Sequence, residues 1–436
     1  MNKRAISVGI IGFGTVGSGT ARILLENSDL IKSRTGFEVR LKKIADLDIN
    51  RDRGIKVPEG VLTTDASSVL NDPEIDIVVE LMGGIHPAKD FMLQAIKNKK
   101  HVVTANKALL ATEGDDVFTL ARENGVEVGF EAAVAGGIPI IKVVREGLVA
   151  NRMLAIYGII NGTSNFILTK MTDEKVEFAA ALAEAQRLGY AEADPTFDIE
   201  GIDTAHKLTI LSSLAYGIPL SYNEVYREGI TRITALDIDF AAELGYKIKL
   251  LAVAKSDNGE IEMRVHPTMV PSEYLISKID GVFNAVYVEG DAVGSTLYYG
   301  RGAGDMPTGS AVVADIVDIG KNIVSGGSAR VSGICPSGAQ GGKKIRKMED
   351  IESMYYFRFS ALDQPGVLSN ISGILGKYNI SIASVIQKGR SVVGSVPLVV
   401  LTHRACERDV MKAVAEIDNL PTVSDKTLFI RVEGKD

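Results

Sequence analysis

An acidic segment in the middle of the 436-residue chain carries residue types that suit proton transfer and the binding of an ammonium group. Pro195 interrupts this segment, so we predict a loop rather than a helix there. Lys207 follows Asp203 by four residues, and the two side chains share one face if Asp203 begins a helix. A lysine in an acidic, substrate-sized pocket could donate or accept a proton, with its pKa set by desolvation and neighbouring carboxylates. An ordinary surface ion pair would have the same spacing. The acidic residues are Glu192, Asp194, Asp198, Glu200 and Asp203.

A second lysine is placed where a parallel sheet would present it to a ligand. The segment Thr104–Lys107 follows the apolar run His101–Val103, which we predict to be a strand. Ligands of doubly wound sheets bind beyond the carboxyl ends of the strands, so Lys107 is predicted to face a cofactor or substrate. The alternative is a surface lysine at a helix start. A positive charge at a helix N-terminus is locally unfavourable, which favours the functional interpretation.

The segment Gly12–Gly17 has the pattern G-x-G-x-x-G between a predicted strand, Ala5–Ile11, and a predicted helix, Thr15–Asn27. The first glycine permits a tight turn, the second lets the backbone approach a pyrophosphate, and the third lets helix and strand pack closely. The helix N-terminus offers its N–H groups to the phosphates. A purely structural glycine turn is the alternative, but the strand–turn–helix context favours dinucleotide binding.

The second predicted strand ends at Asp46, where an acid would bond the ribose hydroxyls of NAD and disfavour the 2′-phosphate of NADP. Basic residues close by could hold that phosphate instead. The sequence therefore leaves the choice between NAD and NADP open. The basic residues are Arg40, Lys42, Lys43, Arg51 and Arg53.

Two further loops are rich in small residues. Glu131–Pro139 joins the first and second parts of the chain, and its backbone carbonyls could hold a hard cation. A tight crossover between domains would explain the same residues. Gly300–Asp305 is a second glycine-rich loop, able to approach the cofactor from the other side.

The elements that must position these residues divide the chain. Strands and helices alternate through residues 1–139, which predicts a Rossmann-type doubly wound parallel sheet, completed by a helix near 310–325. Residues 140–309 mix helices and strands and are predicted to form a mixed α+β domain. Gly, Ser and Lys dominate residues 326–352, which indicates a linker. Residues 353–436 follow the order βαββαβ of a ferredoxin-like domain. The fold class is therefore α/β. Predicted helices include Gly114–Asn124, Glu174–Leu188, Thr204–Tyr216 and Ser310–Asn322.

The composition argues against several classes of function. The formal net charge is -7, which disfavours a nucleic-acid partner. No stretch approaches about 18 uninterrupted apolar residues, so no membrane span is expected, and we expect no signal peptide. We therefore predict a cytoplasmic protein. Cys335 and Cys406 lie far apart without metal-ligand spacing, which indicates neither a disulfide framework nor a zinc site.

Together these segments resemble the homoserine dehydrogenase family over about residues 5–325. Residues 353–433 resemble an ACT domain, a small ligand-binding module, on the loop Asp363–Leu368. No aspartate-kinase segment precedes the dehydrogenase motifs, so the chain resembles the monofunctional form. The six segments that carry the resemblance, in the family's order, are Gly12–Gly17, Thr104–Lys107, Glu131–Pro139, Asn161–Ile167, Gly189–Lys207 and Gly302–Ser310.

The resemblance implies NAD(P)-linked interconversion of L-homoserine and L-aspartate 4-semialdehyde, a step of threonine, methionine and isoleucine biosynthesis. Lys207 matches the family's catalytic acid/base, and Lys107 matches the residue near the nicotinamide and substrate. Asp203 is the third candidate catalytic residue. Glu192 and Asp203 match the family's substrate-binding positions, and Gly189 lies at the edge of the pocket. Asp198 of the acidic segment is a further candidate substrate-binding residue. Phe13, Thr15 and Val16 match the family's cofactor-contacting positions. The other candidate cofactor-binding residues come from the motifs described above and are Gly12, Gly14, Gly17, Arg40, Asp46, Lys107 and Gly304. A monovalent cation such as Na⁺ would lie at Glu131, Val134, Gly136 and Ile138.

The resemblance also implies that residues 140–309 form the catalytic and dimerisation domain of a homodimer, which paired terminal domains could extend to a homotetramer. The terminal domain is expected to bind an amino-acid effector such as threonine, although purely structural contacts would also explain it.

Two rival functions fit the sequence less well. A semialdehyde dehydrogenase that forms an acyl phosphate needs a nucleophilic cysteine, and Cys335 and Cys406 lie in the predicted linker and terminal domain. A silent sensor of nucleotide and amino acid would not need Lys207 as a general acid.

Overall fold

The computed structural model describes residues 5–327, 334, 343–388 and 394–434. Cys335 and most of the predicted linker lie outside these residues. The chain divides into two compact units, each built from separate stretches of sequence. The first unit is Met1–Gly162, Asp203–Val225 and Phe283–Lys343, and the second is Thr163–Ile202, Tyr226–Val282 and Lys344–Asp436. The single-residue domain boundaries given above stay predictions.

The described residues contain eighteen strands. They are β1 (Ala5–Ile11), β2 (Glu38–Ala45), β3 (Leu62–Thr63), β4 (Ile77–Glu80), β5 (His101–Thr104), β6 (Val128–Gly129), β7 (Met153–Ile159), β8 (Tyr226–Arg227), β9 (Tyr246–Asp257), β10 (Glu260–Pro271), β11 (Phe283–Gly290), β12 (Gly294–Arg301), β13 (Lys344–Ile345), β14 (Glu352–Leu362), β15 (Ile382–Gln387), β16 (Ser395–Thr402), β17 (Ala405–Cys406) and β18 (Leu428–Val432).

The described residues also contain fourteen α-helices. They are α1 (Thr15–Glu26), α2 (Ser28–Thr35), α3 (Ser67–Leu70), α4 (Ala88–Lys97), α5 (Lys107–Asn124), α6 (Ile140–Lys142), α7 (Gly162–Glu174), α8 (Phe178–Arg187), α9 (Thr196–Ile199), α10 (Ile202–Tyr216), α11 (Ala235–Glu243), α12 (Asp305–Ser325), α13 (Val367–Lys377) and α14 (Glu407–Ile417). Short 3-10 turns cover Glu131–Ala133, Tyr222–Glu224, Leu275–Lys278 and Met348–Asp350, and a π-helical turn covers Val143–Gly147.

The first unit contains the predicted parallel sheet. Its strands follow the order β3-β2-β1-β4-β5-β6, which is the doubly wound order 3-2-1-4-5-6, and every neighbouring pair is parallel. Strand β4 is buried along its whole length, as expected of a parallel strand covered on both faces. The predicted Rossmann-type sheet is confirmed.

Helix α12 packs against α1 and shares the hydrophobic core of this sheet. The close approach depends on glycine, because a Cβ added at Gly19 would clash with the carbonyl oxygen of Asp305. Helices α1 and α5 and the start of α12 therefore belong to the same unit as the carboxyl ends of the parallel strands. Strands β12, β11 and β7 form an antiparallel ribbon in the same unit.

The second unit contains a longer sheet in the order β9-β10-β18-β14-β16-β15. The terminal segment has the predicted βαββαβ order, with α13 and α14 packed on a core that includes Phe357, Ile371 and Val410. Strand β18 also pairs in parallel with β10, at Thr268 opposite Arg431. The terminal domain therefore continues the sheet of the preceding strands, which the sequence pattern does not predict.

Several element boundaries differ from the prediction. Helix α5 begins at Lys107, not at Gly114, because Asn106 caps it by accepting a hydrogen bond from Leu109 N. The sequence does not predict α7, whose first turn is polar. Thr163 and Ser164 in this turn donate hydrogen bonds to the backbone carbonyls of Tyr190 and Asp198. The predicted helix Glu174–Leu188 is shorter, and is observed as α8.

The C-terminal end of the predicted linker is also structured. Lys344 and Ile345 form β13, which pairs in parallel with β10. Arg346 forms ion pairs with Glu260 and Glu262 at 2.9 and 3.0 Å. These contacts fix the start of the terminal segment.

Among the helices of the described residues, none is both long and apolar enough to cross a lipid bilayer.

Candidate active site

The glycine loop has the geometry of a pyrophosphate cradle. Gly12 lies between β1 and α1 with φ 101°, and a Cβ there would lie 2.6 Å from the carbonyl group of Leu81. A Cβ at Gly17 would clash with the Gly12 carbonyl oxygen, so the third glycine permits the close packing. A Cβ at Gly14 would meet no atom within 4 Å, which leaves the outer side of the loop open. Helix α1 has no side-chain cap, so the first N–H groups of this helix are available to a phosphate.

The acid at the end of β2 is already engaged. Asp46 accepts a hydrogen bond from Phe13 N at 2.5 Å and pairs with Arg53 at 3.2 Å. The Arg53 guanidinium also lies over the Phe13 ring, 4.8 Å from its centroid, and donates to the Phe13 carbonyl oxygen. The negative charge beside the cradle is therefore balanced by Arg53.

Arg40 does not lie beside the glycine loop. It is opposite Ser7 in the sheet, whereas the cradle follows Ile11 and Ala45 at the carboxyl ends of these strands. Its guanidinium forms an ion pair with Glu38 at 2.7 Å. A rise of about 3.3 Å per residue places Arg40 several residues before the cradle. The register therefore places Arg40 away from the glycine loop, and its role as a cofactor contact stays a prediction. Arg53 is the basic residue that contacts Phe13 of the loop.

The centre of the first unit brings three predicted residues together. Asp203 accepts a hydrogen bond from Lys207 Nζ at 2.6 Å, and its other oxygen lies 3.0 Å from Lys107 Nζ. Asn161 donates its amide to Asp203 at 2.9 Å, and Lys207 Nζ also donates to the Ile160 carbonyl at 2.7 Å. The Asp203 and Lys207 side chains are only 4% and 10% exposed, whereas that of Lys107 is 34% exposed. The ion pair of Asp203 and Lys207 is thus buried, not on the surface.

Three elements fix this cluster. Asp203 lies in the first turn of α10, where a carboxylate is favoured by the helix dipole, and Lys207 follows one turn later. Lys107 is the first residue of α5, directly after the cap Asn106. Asn161 follows the end of β7. The cluster therefore depends on the ends of separate elements that only the fold brings close.

The charges of the cluster stabilise each other. Burial alone would raise the pKa of Asp203, but the positive charges of Lys207 and Lys107 and the hydrogen bond from Asn161 outweigh burial. They hold the pKa of Asp203 well below its ordinary value, so its carboxylate is ionised at neutral pH. One carboxylate between two ammonium groups leaves a positive charge in excess. Such a site can stabilise negative charge that develops on a bound oxygen.

The remaining predicted substrate residues lie in the second unit. Gly189 follows α8 with φ 77°, and Asp198 lies in the short helix α9, which Asp194 stabilises by accepting from Thr196 N at 3.1 Å. The Glu192 carbonyl accepts a hydrogen bond from Gln186. The proline-interrupted acidic segment is therefore not one continuous helix.

The loop from Glu131 is buried within the first unit. The Glu131 carboxylate accepts from the N–H groups of Ile141 and Lys142 at 2.8 and 2.9 Å, and Glu131 N donates to Asp315 at 2.8 Å. Burial raises the pKa of Glu131 to about 7 and that of Asp315 to about 8. The Glu131 carboxylate is therefore occupied by hydrogen bonds from the backbone. The backbone carbonyl oxygens of this loop remain as candidate cation ligands.

The glycine-rich loop Gly300–Asp305 lies against the loop Glu131–Pro139. Gly136 has φ 52°, and a Cβ there would clash with the carbonyl oxygen of Gly302. Gly137 N donates to the Arg301 carbonyl at 3.0 Å. Gly304, with φ 126°, precedes α12. Within the described residues, no group of three or more His, Cys, Asp or Glu side chains could hold a metal ion.

Two polar residues of this site are not singled out by sequence reasoning. Asn161 belongs to a segment quoted for the family resemblance, but its contact with Asp203 spans a separation that no local pattern reveals. Glu80 is the only charged residue of the wholly buried strand β4. A charged residue in such an apolar strand is rarely buried without a partner, so the sequence could have identified Glu80 as a candidate.

Comparison with known proteins agrees with this geometry. The family models "Homoserine dehydrogenase, NAD binding domain", "Homoserine dehydrogenase" and "ACT domain" match residues 12–131, 139–317 and 355–422. A homoserine dehydrogenase of Pseudomonas aeruginosa is 50% identical, with 99% of both chains covered. The crystal structure of a homoserine dehydrogenase from Thiobacillus denitrificans superposes with a TM-score of 0.93, at 50% identity and 98% coverage of both chains. A hyperthermophilic archaeal homoserine dehydrogenase in complex with NADPH has a TM-score of 0.62 and 28% identity, covering 72% of this chain and 97% of that one. The chain belongs to the homoserine dehydrogenase family and carries a terminal ACT domain.

Proposed function

We propose that this chain interconverts L-homoserine and L-aspartate 4-semialdehyde with a nicotinamide dinucleotide, and that Lys207 is the general acid and base. The observation that carries the proposal is the buried cluster in which Asp203 holds both Lys107 and Lys207. The cluster lies in the same unit as the glycine cradle Gly12–Gly17. The family membership gives the reaction, and the cluster supplies groups that fit its chemistry.

A nicotinamide dinucleotide held at the cradle Gly12–Gly17 would supply the hydride that reduces the aldehyde carbon. Negative charge then develops on the carbonyl oxygen, and Lys207 Nζ donates a proton to it, which completes the alcohol. Lys107 adds a positive charge near the same oxygen. In the oxidising direction Lys207 accepts the hydroxyl proton. General acid catalysis of this kind contributes about 10² to 10⁴ in rate.

Asp203 serves this step by holding the lysines. Because its carboxylate stays ionised, it pairs with both amino groups and holds them in place before the substrate arrives. The Ile160 carbonyl fixes Lys207 from a second direction. Such preorganisation lowers the cost of stabilising charge in the transition state.

The acidic segment of the second unit suits the substrate's ammonium group. The substrate-binding residues that the family resemblance implies, Gly189, Glu192, Asp198 and Asp203, stay predictions. A monovalent cation such as Na⁺ at the carbonyls of Glu131, Val134, Gly136 and Ile138 belongs to the same proposal, since only oxygen ligands of the backbone remain there. We further propose an amino-acid effector at the ACT domain and a homodimeric or homotetrameric assembly.

A turnover assay tests the function. Reduced-nicotinamide absorbance is followed with L-aspartate 4-semialdehyde, using NADH and NADPH in parallel, with and without L-threonine. Rapid oxidation that requires the semialdehyde is expected. Folded protein that oxidises neither cofactor would refute the proposal and favour a sensor of nucleotide and amino acid.

The role of Lys207 is tested by Lys207→Ala. We expect kcat to fall by about 10² to 10⁴, because the proton donor is lost, while the dissociation constant of NADPH stays nearly unchanged. Lys170→Ala is the matched control, since Lys170 forms an i,i+4 ion pair with the exposed Glu174. A Lys207→Ala protein that keeps more than half of the wild-type kcat would show the assignment to be wrong.

Cofactor preference is tested by Arg53→Ala. Arg53 neutralises Asp46 beside the cradle, so its loss leaves a negative charge that repels the 2′-phosphate of NADPH. We expect the ratio of kcat/KM for NADPH to that for NADH to fall by about tenfold or more. Arg40→Ala removes an arginine that pairs with Glu38 and should leave the ratio unchanged. The opposite pattern would return the assignment to Arg40.

A further inference from the structure

We infer that Glu80 is a positioning residue that sets both the start of α5 at Lys107 and the loop Met82–Gly84 beside the cofactor cradle. The inference rests on the proposed function, because it assigns Lys107 to the same reaction. Glu80 ends β4 and is 1% exposed. In the sheet it lies between Ile11 on one neighbouring strand and Thr104 on the other.

The Glu80 carboxylate binds both segments that follow the two strands. One oxygen accepts from Met82 N at 2.8 Å, and the other accepts from the Thr104 hydroxyl at 2.7 Å. Burial raises the pKa of Glu80, and hydrogen bonds from Thr104, Met82 and Gly83 oppose that rise. A carboxylate buried this deeply is costly unless its oxygens are satisfied, as they are here.

From Thr104 the contacts continue to Lys107. The Thr104 oxygen accepts from Asn106 N at 3.0 Å, and Asn106 donates its side chain to the Gly84 carbonyl at 2.6 Å. Asn106 in turn caps α5 through Leu109 N at 3.2 Å. Lys107 is the next residue, and its Nζ is the one that lies 3.0 Å from Asp203. Glu80 is thus linked to Lys107 through the Thr104 hydroxyl and the helix cap Asn106.

The other segment borders the glycine cradle. A Cβ at Gly12 would lie 2.6 Å from the Leu81 carbonyl group, so the backbone that leaves β4 touches the first glycine of the loop. Met82, Gly83 and Gly84 are exposed, and both glycines have positive φ. A bound dinucleotide would therefore meet a wall whose shape Glu80 fixes.

A double-mutant cycle distinguishes positioning from a structural role. Glu80→Gln and Thr104→Val are made in the wild type and in Lys107→Met, and kcat and the KM values for NADPH and semialdehyde are measured. We expect each variant to lower kcat by about tenfold in the wild type and to have little further effect on kcat in the Lys107→Met background. Thr104→Ser keeps the hydroxyl and should restore kcat. Thr112→Val is the control. Thr112 is an exposed residue of α5, the helix that begins at Lys107, and its substitution should leave kcat unchanged.

The inference would be overturned if Glu80→Gln and Thr104→Val lowered kcat by the same factor in Lys107→Met as in the wild type. A Thr104→Ser protein as slow as Thr104→Val would overturn it as well. Thr104→Val carries the test alone if Glu80→Gln does not fold. Wild-type turnover is recorded in the same experiment. An inactive wild type would mark failure of the proposed function, whereas an active wild type with multiplying effects would mark failure of this inference.

Discussion

The site depends on one ionised carboxylate held away from water. Asp203 accepts hydrogen bonds from Lys207 and Asn161, and it lies within 3.0 Å of Lys107 Nζ. Removing such a charge from water is costly, and only close positive partners make it favourable. The same partners need the carboxylate, since two ammonium groups this close would otherwise repel each other. The members of the cluster therefore stabilise one another. Their fixed positions determine where Lys207 can exchange a proton with a substrate.

The parallel sheet supplies the frame for that cluster. Its strands end at one edge, where the glycine cradle follows β1, Asp46 follows β2 and Lys107 follows β5. Glycine decides how closely these ends approach, as at Gly12 and Gly17. The terminal domain is built on a different constraint. Its last strand pairs with β10, and the buried Arg431 binds Glu407 and Glu228. The ACT domain therefore shares a sheet with β10.

Local patterns in the sequence predict the local parts of this account. The strand–turn–helix of Gly12–Gly17 and the spacing of Asp203 and Lys207 lie within single stretches of chain, and the βαββαβ order of the terminal domain follows from periodicity. Contacts between distant stretches leave no such signal, as for Lys107 with Asp203. The basic residues Arg40 and Arg53 show the difference. Both lie near Asp46 in sequence, but only the register of β2 reveals which one reaches the cradle.

The central claim is that Asp203 and Lys207 act as a unit. The most direct measurement compares kcat for Asp203→Asn, Lys207→Ala and the double variant, with circular dichroism as the check of folding. The account predicts that each single variant loses about 10² or more, and that the double variant is no slower than the slower single one, because residues that act together are not additive. Losses that multiply in the double variant would mean that the two residues act independently and would contradict the account.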